Sequence, residues 1–245
     1  MTTPVALVTG SARRIGADIV RTLHDHGMRV IIHYRNSEDE ARALARQLNE
    51  KKQDSVALLQ ADLDQPDAVR QLARSAQTCF GRLDLLVNNA SSFYPTPVDQ
   101  ADDADWERLI HSNLRAPFIL SQQLAGSLRQ HKGSIINIVD VYAEKPLHNH
   151  TLYCMAKAGL AMMTRSLARE LGPDIRVNGV SPGPILWPEA GQMNQQDIED
   201  ATALKRCGSP QDIAGAVWWL GTQAPFVTGQ ILAVDGGRSL TLQGS

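Results

Sequence analysis

Short apolar runs recur along the chain at Val5 to Val8, Val30 to Ile32, Val56 to Leu59, Leu83 to Val87, Ile135 to Val139, Ile175 to Val180 and Ile231 to Val234. Each has the length and character of a strand buried on both faces, which needs no polar alternation. Between them lie stretches whose apolar residues fall at helical spacing, such as Ile15, Ile19 and Leu23, then Ala41, Leu44, Ala45 and Leu48. Strand and helix alternate. The pattern predicts a doubly wound α/β domain, a parallel sheet of seven strands with right-handed crossovers and helices on both faces. No fixed-period repeat, low-complexity tract or Pro/Gly linker divides the chain, so one domain over residues 1–245 is expected. The alternation breaks between Pro182 and Ala203, where prolines, Gly191 and mixed polarity predict a loop with a short helix. In open α/β sheets, excursions of this kind beyond the strand ends commonly cover the ligand.

Composition narrows the class. With 43% hydrophobic, 5% aromatic and 20% charged residues, this is an ordinary globular chain, neither disordered nor collagenous. Twenty-four Lys and Arg against 26 Asp and Glu leave a formal net charge of −2, so neither nucleic acid nor an anionic membrane is an expected partner. An anionic ligand must be bound locally. Cys79, Cys154 and Cys207 form no CxxC pair and are odd in number, which fits a reducing cytoplasm. The early apolar run is too short for a signal peptide and no stretch reaches the length of a membrane span. No metal is expected.

The chemistry-bearing residues sit where strands end. Thr9-Gly10-Ser11-Ala12-Arg13-Arg14-Ile15-Gly16 joins the first strand to a helix. Such a turn offers free backbone N–H groups and the positive end of a helix dipole to a pyrophosphate. Arg14 stands where a dinucleotide fingerprint would have its middle glycine, and can donate hydrogen bonds to phosphate or to a polar ring edge. His33-Tyr34-Arg35-Asn36-Ser37 closes the second strand with no acid before Glu38, so Arg35 and Ser37 favour a ribose 2′-phosphate, and NADP over NAD. Ser37 and Glu40 also have capping-box spacing. Asp62-Leu63 follows the third strand and Asn88-Asn89-Ala90 the fourth, either as ligand contacts or as turn chemistry. After the fifth strand come Asp140, Tyr153 and Lys157, the last two on one helix face at i and i+4. A phenol is a poor acid-base catalyst at neutral pH, and a nearby ammonium is expected to pull its pKa down.

The glycine turn, Asn88-Asn89-Ala90, Asn113, Tyr153-Cys154-Met155-Ala156-Lys157, Pro182-Gly183 and Asp235-Gly236-Gly237 together resemble the short-chain dehydrogenase/reductase family over nearly the whole chain. Arg14, the run Asn88 to Pro97, Asp140 in place of the usual serine, and His33-Tyr34 followed by Ser37 resemble its pteridine reductases in particular. The resemblance implies a Rossmann-type domain that uses NADPH to reduce a C=N bond of a dihydropterin, pterin or folate, and a homotetramer that antifolates inhibit. It implies catalysis by Asp140, Tyr153, Lys157 and Asn113. It places cofactor contacts at Gly10, Arg14, Ile15, His33, Tyr34, Arg35, Asn36, Ser37, Asp62, Leu63, Asn89, Ala90, Ser91, Tyr153, Lys157, Pro182 and Gly183. Substrate contacts would come from Arg14, Ser91, Phe93, Asp140, Tyr153, Leu186 and Trp187, with Phe93 stacked on the pterin. Two positions depart from relatives: Arg35-Asn36 replaces a His-Arg pair, and Pro184 to Pro188 follows Pro182-Gly183 where many relatives place a threonine. Two alternatives are a carbonyl reductase of the same family acting on a 3-oxoacyl thioester, and a noncatalytic NADPH sensor.

Overall fold

The computed structural model describes residues 3–185 and 195–240. Seven strands, β1 (Val5–Val8), β2 (Arg29–Tyr34), β3 (Val56–Gln60), β4 (Leu85–Asn88), β5 (Ser134–Ile138), β6 (Arg176–Pro182) and β7 (Ile231–Val234), form one sheet in the order β3-β2-β1-β4-β5-β6-β7. Every pair is parallel. The seven apolar runs are therefore the seven strands. The fourth starts at Leu85 rather than Leu83, because the Asp84 side chain, not a ladder carbonyl, accepts the Val5 N–H at 2.8 Å.

Alternation along the strands builds two cores. Ala6 and Val8 of β1 face one way and Val5 and Leu7 the other. On the first face lie α1 (Arg14–Asp25) and α2 (Glu38–Lys51), whose Ile19, Leu23, Ala41, Leu44, Ala45 and Leu48 are buried as the helical spacing predicts. The second face is covered by α3 (Pro66–Cys79), then by α4 (Asp103–Ile110), a π-turn over His111–Arg115 and α5 (Ala116–Gln130), and by α6 (Thr151–Leu171). α7 (Gln195–Asp200) supplies the short helix expected within Pro182 to Ala203, and α8 (Pro210–Trp218) returns to pack beside α1. α8 begins with a complete capping box between Ser209 and Asp212, while Ser37 at the head of α2 makes no side-chain cap. The expected Ser37–Glu40 box fails because the Glu40 carboxylate faces Arg13 at 3.8 Å instead.

The strand order reverses at β1, whose neighbours are β2 and β4. In open α/β sheets that switch point opens a crevice beyond the carboxyl ends of the strands. The candidate residues among those described lie at the ends of these strands or in the segments that follow them. Among the described residues no helix is long and apolar enough to cross a membrane.

Candidate active site

At the switch point the β1–α1 turn is compressed. Gly10 has φ +59°, and a Cβ on it would stand 2.9 Å from the Ala90 Cα. A Cβ on Gly16 would lie 2.5 Å from the Gly10 carbonyl and 2.6 Å from Asn89 Nδ2. Only glycine fits either place. Asn89 holds the turn from the β4 side, its Nδ2 donating to the carbonyls of Thr9 (2.9 Å) and Gly10 (3.0 Å). Thr9 Oγ1 accepts from the amides of Asn89 and Ala90 at 2.9 and 3.0 Å. Arg14 takes φ +54° in the position expected of a glycine, a left-handed conformation that is uncommon for a residue with a side chain. No acidic side chain stands in the first turn of α1 to compensate its dipole, which favours an anion there. A groove of about 370 Å³ between α1 and α2 is lined by Arg13, Arg14, Arg21 and Glu40 among others, a positive patch in a chain of net charge −2.

The residues after β2 and β3 meet here too. Tyr34 is buried and Arg35 is half exposed, its guanidinium 3.2 Å from Asp64 and 3.7 Å from Asp62. Burial and the neighbouring Asp62 raise the Asp64 carboxyl above its usual range, while Arg35 opposes them. Asp62 also closes its own turn, accepting the Asp64 amide at 3.0 Å. Leu63 is buried against the second core and Asn36 is exposed. Sequence reasoning passed over Arg13, whose guanidinium reaches the first turn of α2; its position next to Arg14 was the available signal.

The reactive cluster is assembled by β5 and α6. Tyr153 O–H donates to Asp140 Oδ2 at 2.7 Å, and Asp140 Oδ1 accepts the Tyr142 amide at 2.9 Å. One oxygen of Asp140 thus partners Tyr153 and the other caps the turn at Tyr142. Lys157 is 2% exposed; its Nζ donates to the Ile138 carbonyl at 2.9 Å and sits 5.7 Å from the centre of the Tyr153 ring. The expected electrostatics are reversed. Burial and the Asp140 charge hold Tyr153 well above the ordinary phenol range, despite an opposing hydrogen bond with Ser91. Burial pushes the Lys157 ammonium down to about 8 against the attraction of Asp140. Burial raises Asp140 against three favourable partners, Tyr142, Tyr153 and Lys157. The Tyr153 shift is set by burial and Asp140 rather than by Lys157. Tyr153 keeps its proton.

Phe93 stands above this group, half exposed rather than packed into the core. Its ring meets Tyr153 edge-on at 4.8 Å and stacks on His150 at 4.7 Å. Asn113, which the resemblance makes catalytic, is buried in the π-turn with its side chain bonded to Ser92: Nδ2 donates to the Ser92 carbonyl (2.9 Å) and Oδ1 accepts the Ser92 amide (3.0 Å). It orders the Ser91–Phe93 loop. A buried chain from Asn88 to Asn137 (2.8 Å) and on to Thr164 (2.9 Å) fixes α6 against the sheet. Only Asn137, a polar residue within the run Ile135 to Val139, signalled this in the sequence. Pro182 ends β6, and Gly183 lies so close to Asp235 that a Cβ would stand 2.6 Å from its Cα. Asp235-Gly236-Gly237 is the turn that allows this approach, with Asp235 accepting the amides of Gly237 and Ser239. Leu186 and Trp187 lie outside the described residues.

The family described as enoyl-(acyl carrier protein) reductase matches residues 10–239. Pteridine reductase 1 of Leishmania tarentolae is 37% identical, the match covering 98% of each chain. A 3-oxoacyl-[acyl-carrier-protein] reductase of Synechocystis sp. is 34% identical, covering 97% of each. The crystal structure of a blue fluorescent protein from a metagenomic library, in complex with NADPH, superposes with a TM-score of 0.90 at 38% identity, covering 96% of this chain and 97% of that one. With this sheet order, glycine turn and Tyr153–Lys157 pair, the chain belongs to the short-chain dehydrogenase/reductase family and is an oxidoreductase.

Proposed function

We propose that this chain is an NADPH-dependent pteridine reductase that converts a C=N bond of a dihydropterin, pterin or dihydrofolate to CH–NH. The observation that carries the reading is the 2.7 Å hydrogen bond from Tyr153 to a carboxyl, Asp140, beside the half-exposed Phe93 ring. The glycine turn, closed to any Cβ at Gly10 and Gly16, and the acid-free first turn of α1 fit a dinucleotide pyrophosphate. Arg35, Ser37 and Arg13 lie where they can read a 2′-phosphate. The NADPH complex of the blue fluorescent protein and the pteridine reductase relative support the same cofactor and substrate class.

When bound, the nicotinamide supplies the hydride; the chain supplies orientation and a proton. Phe93 stacks on the pterin with Ser91 and Arg14 donating to its polar edge. Tyr153, held as the phenol by burial and by Asp140, donates its proton to the ring nitrogen. Asp140, the carboxylate that accepts the Tyr153 O–H, then takes a proton from solvent and passes it to the phenolate. Lys157 binds the nicotinamide ribose and balances the charge left behind. The exposed Met155 on α6, with Leu160 and Leu167 committed to the core, suits contact with another copy in a tetramer. A cytoplasmic location accompanies this reading.

The relative from Synechocystis keeps a ketone-reducing reading in play. Asp140 weighs against it, since a carboxylate beside a developing alkoxide repels it. Purified enzyme should oxidise NADPH with dihydropterins, pterins and dihydrofolate, and methotrexate should compete. Turnover only on acetoacetyl thioesters would replace the pterin assignment with the ketone one.

A further inference from the structure

His33 lies near the end of β2, 2% exposed, and no step of the proposed chemistry uses it. Its Nδ1 is 3.0 Å from the Gly10 amide nitrogen and its Nε2 is 3.1 Å from the Ala61 carbonyl oxygen. An amide can only donate and a carbonyl can only accept. The tautomer is therefore fixed: Nδ1 accepts from Gly10 and Nε2–H donates to Ala61. The His33 backbone carbonyl accepts the next amide of the turn, Ser11, at 2.9 Å. One residue thus spans the carboxyl ends of β1, β2 and β3. It is the counterpart, from the β2 side, of the Asn89 clamp from the β4 side.

This wiring has a consequence for anion binding. The Gly10 and Ser11 amides are both spent on His33. A phosphate is then left to the N-terminal end of α1, whose position depends on where the turn is pinned. The imidazole places its acceptor and its donor at opposite edges of a short rigid ring, which is the span from the Gly10 amide to the Ala61 carbonyl. A protonated imidazole would set N–H against the Gly10 N–H. Burial holds His33 away from that state, its pKa lowered to about 4 although the Ala61 carbonyl and Asp62 favour the charge.

We propose that His33 is a positioning residue for the cofactor: by accepting the Gly10 amide and donating to Ala61 it sets the β1–α1 turn for the pyrophosphate shared by NADPH and NADH. This rests on the nucleotide-binding part of the reading above and not on the identity of the substrate. The test is a titration of the full-length protein with NADPH and with NADH, without substrate, for wild type, His33→Leu and His33→Asn, each first shown to melt cooperatively. His33→Leu should weaken both nucleotides by the same factor, about tenfold, the size of one uncharged hydrogen bond lost. His33→Asn, whose side-chain oxygen can take the Gly10 N–H, should recover most of that loss. In steady state His33→Leu should raise the KM for NADPH by more than it lowers kcat, as expected where ground-state and transition-state binding are lost together. Folded His33→Leu with wild-type affinity would overturn the proposal, as would equal losses in His33→Leu and His33→Asn. Loss of NADPH with NADH spared would move His33 to 2′-phosphate recognition and also overturn it. A wild-type protein that binds neither nucleotide would sink the cofactor reading with it.

Discussion

The two sides of the crevice are built on different physics. Around the β1–α1 turn the polar groups are neutral and used up: Thr9, Gly10, Ser11, His33 and Asn89 satisfy one another over distances of 2.9 to 3.0 Å. Around Tyr153 the groups are ionisable, and burial displaces each of them: Asp140 upward, Tyr153 upward, Lys157 down to about 8. Saturated neutral pairs fix geometry and ask nothing further of pH. Buried titratable groups carry an electrostatic cost that a proton transfer can change, which is why perturbed pKa values gather at reactive sites. Substitutions on the first side should move binding constants, and those on the second should move turnover.

The sharpest separation is expected at Tyr153. General acid catalysis contributes about 10²- to 10⁴-fold, so Tyr153→Phe should cut kcat within that range. Its NADPH affinity should stay close to wild type, because the phenol's partners are Asp140 and Ser91 and not the glycine turn. Single-turnover rates and NADPH titration on the same preparation check both halves. A wild-type rate in Tyr153→Phe would dissolve the distinction between the two sides.

Asp140 should show a smaller effect, roughly tens of fold in kcat for Asp140→Asn, because it acts through Tyr153 at the low end of the acid-base range. Its signature is the pH profile. Burial raises the Asp140 carboxyl, so its capacity to take up and relay a proton extends above the ordinary carboxylate range and fades as pH rises; Lys157 loses its own proton near 8. Both losses disable proton delivery or charge balance, so wild-type kcat should fall toward alkaline pH in two steps that belong to the coupled cluster. Asp140→Asn should keep the Lys157 step and lose the other. An unchanged profile would reduce Asp140 to a cap on the Val141–Ala143 turn.

Phe93 tests the boundary between the sides, since it binds without ionising. Stacking on an aromatic platform is worth about 1 to 3 kcal/mol per base, so Phe93→Ala should raise the pterin KM by roughly five- to a hundredfold. Phe93→Tyr should be mild and NADPH affinity unmoved. Steady-state kinetics with dihydropterin, alongside the His150 stack as a purely structural alternative for Phe93, decides this.

Much of this was legible because the signals were local. A buried parallel strand must be apolar, so β1 to β7 could be read as runs; a tight turn beside a strand needs glycine, so Gly10 and Gly16 could be placed. Tyr153 and Lys157 share a face by helical arithmetic. What could not be read depends on groups that meet from distant elements. The direction of the Tyr153 shift needed the 2.7 Å contact to Asp140 and full burial, neither of which spacing contains. The Asn113 side chain also holds Ser92, 21 residues away, a contact that no local spacing reveals. Ser37 and Glu40 had the spacing of a capping box, yet the competing partner, Arg13, comes from another helix. Of the Asn88–Asn137–Thr164 chain only the polar Asn137 in its apolar run left a trace, its partners meeting from distant elements.

The smallest effect is expected where the two helix N-termini of the nucleotide side differ. The first turn of α1 has no acid, whereas that of α2 carries Glu38, Asp39 and Glu40. Carboxylates at a helix N-terminus compensate its dipole, so α2 offers a 2′-phosphate little attraction of its own. Its preference must come from side chains. Arg35 is shared with Asp62 and Asp64 and is half exposed, as is Glu40 opposite the still more exposed Arg13. Exposed and divided charges deliver the lower part of the charge-assisted range, so Arg35→Ala and Arg13→Ala should each weaken NADPH by about tenfold or less and leave NADH unchanged. Asp64→Asn should act in the opposite sense, since releasing Arg35 from its 3.2 Å partner gives the phosphate a less divided cation. Titrations at low and high salt check this: screening should shrink the NADPH preference of wild type and of Asp64→Asn, while Arg13→Ala/Arg35→Ala should respond little. A preference that survives both arginine substitutions would place 2′-phosphate recognition in the Ser37 hydroxyl, which makes no cap within its own helix.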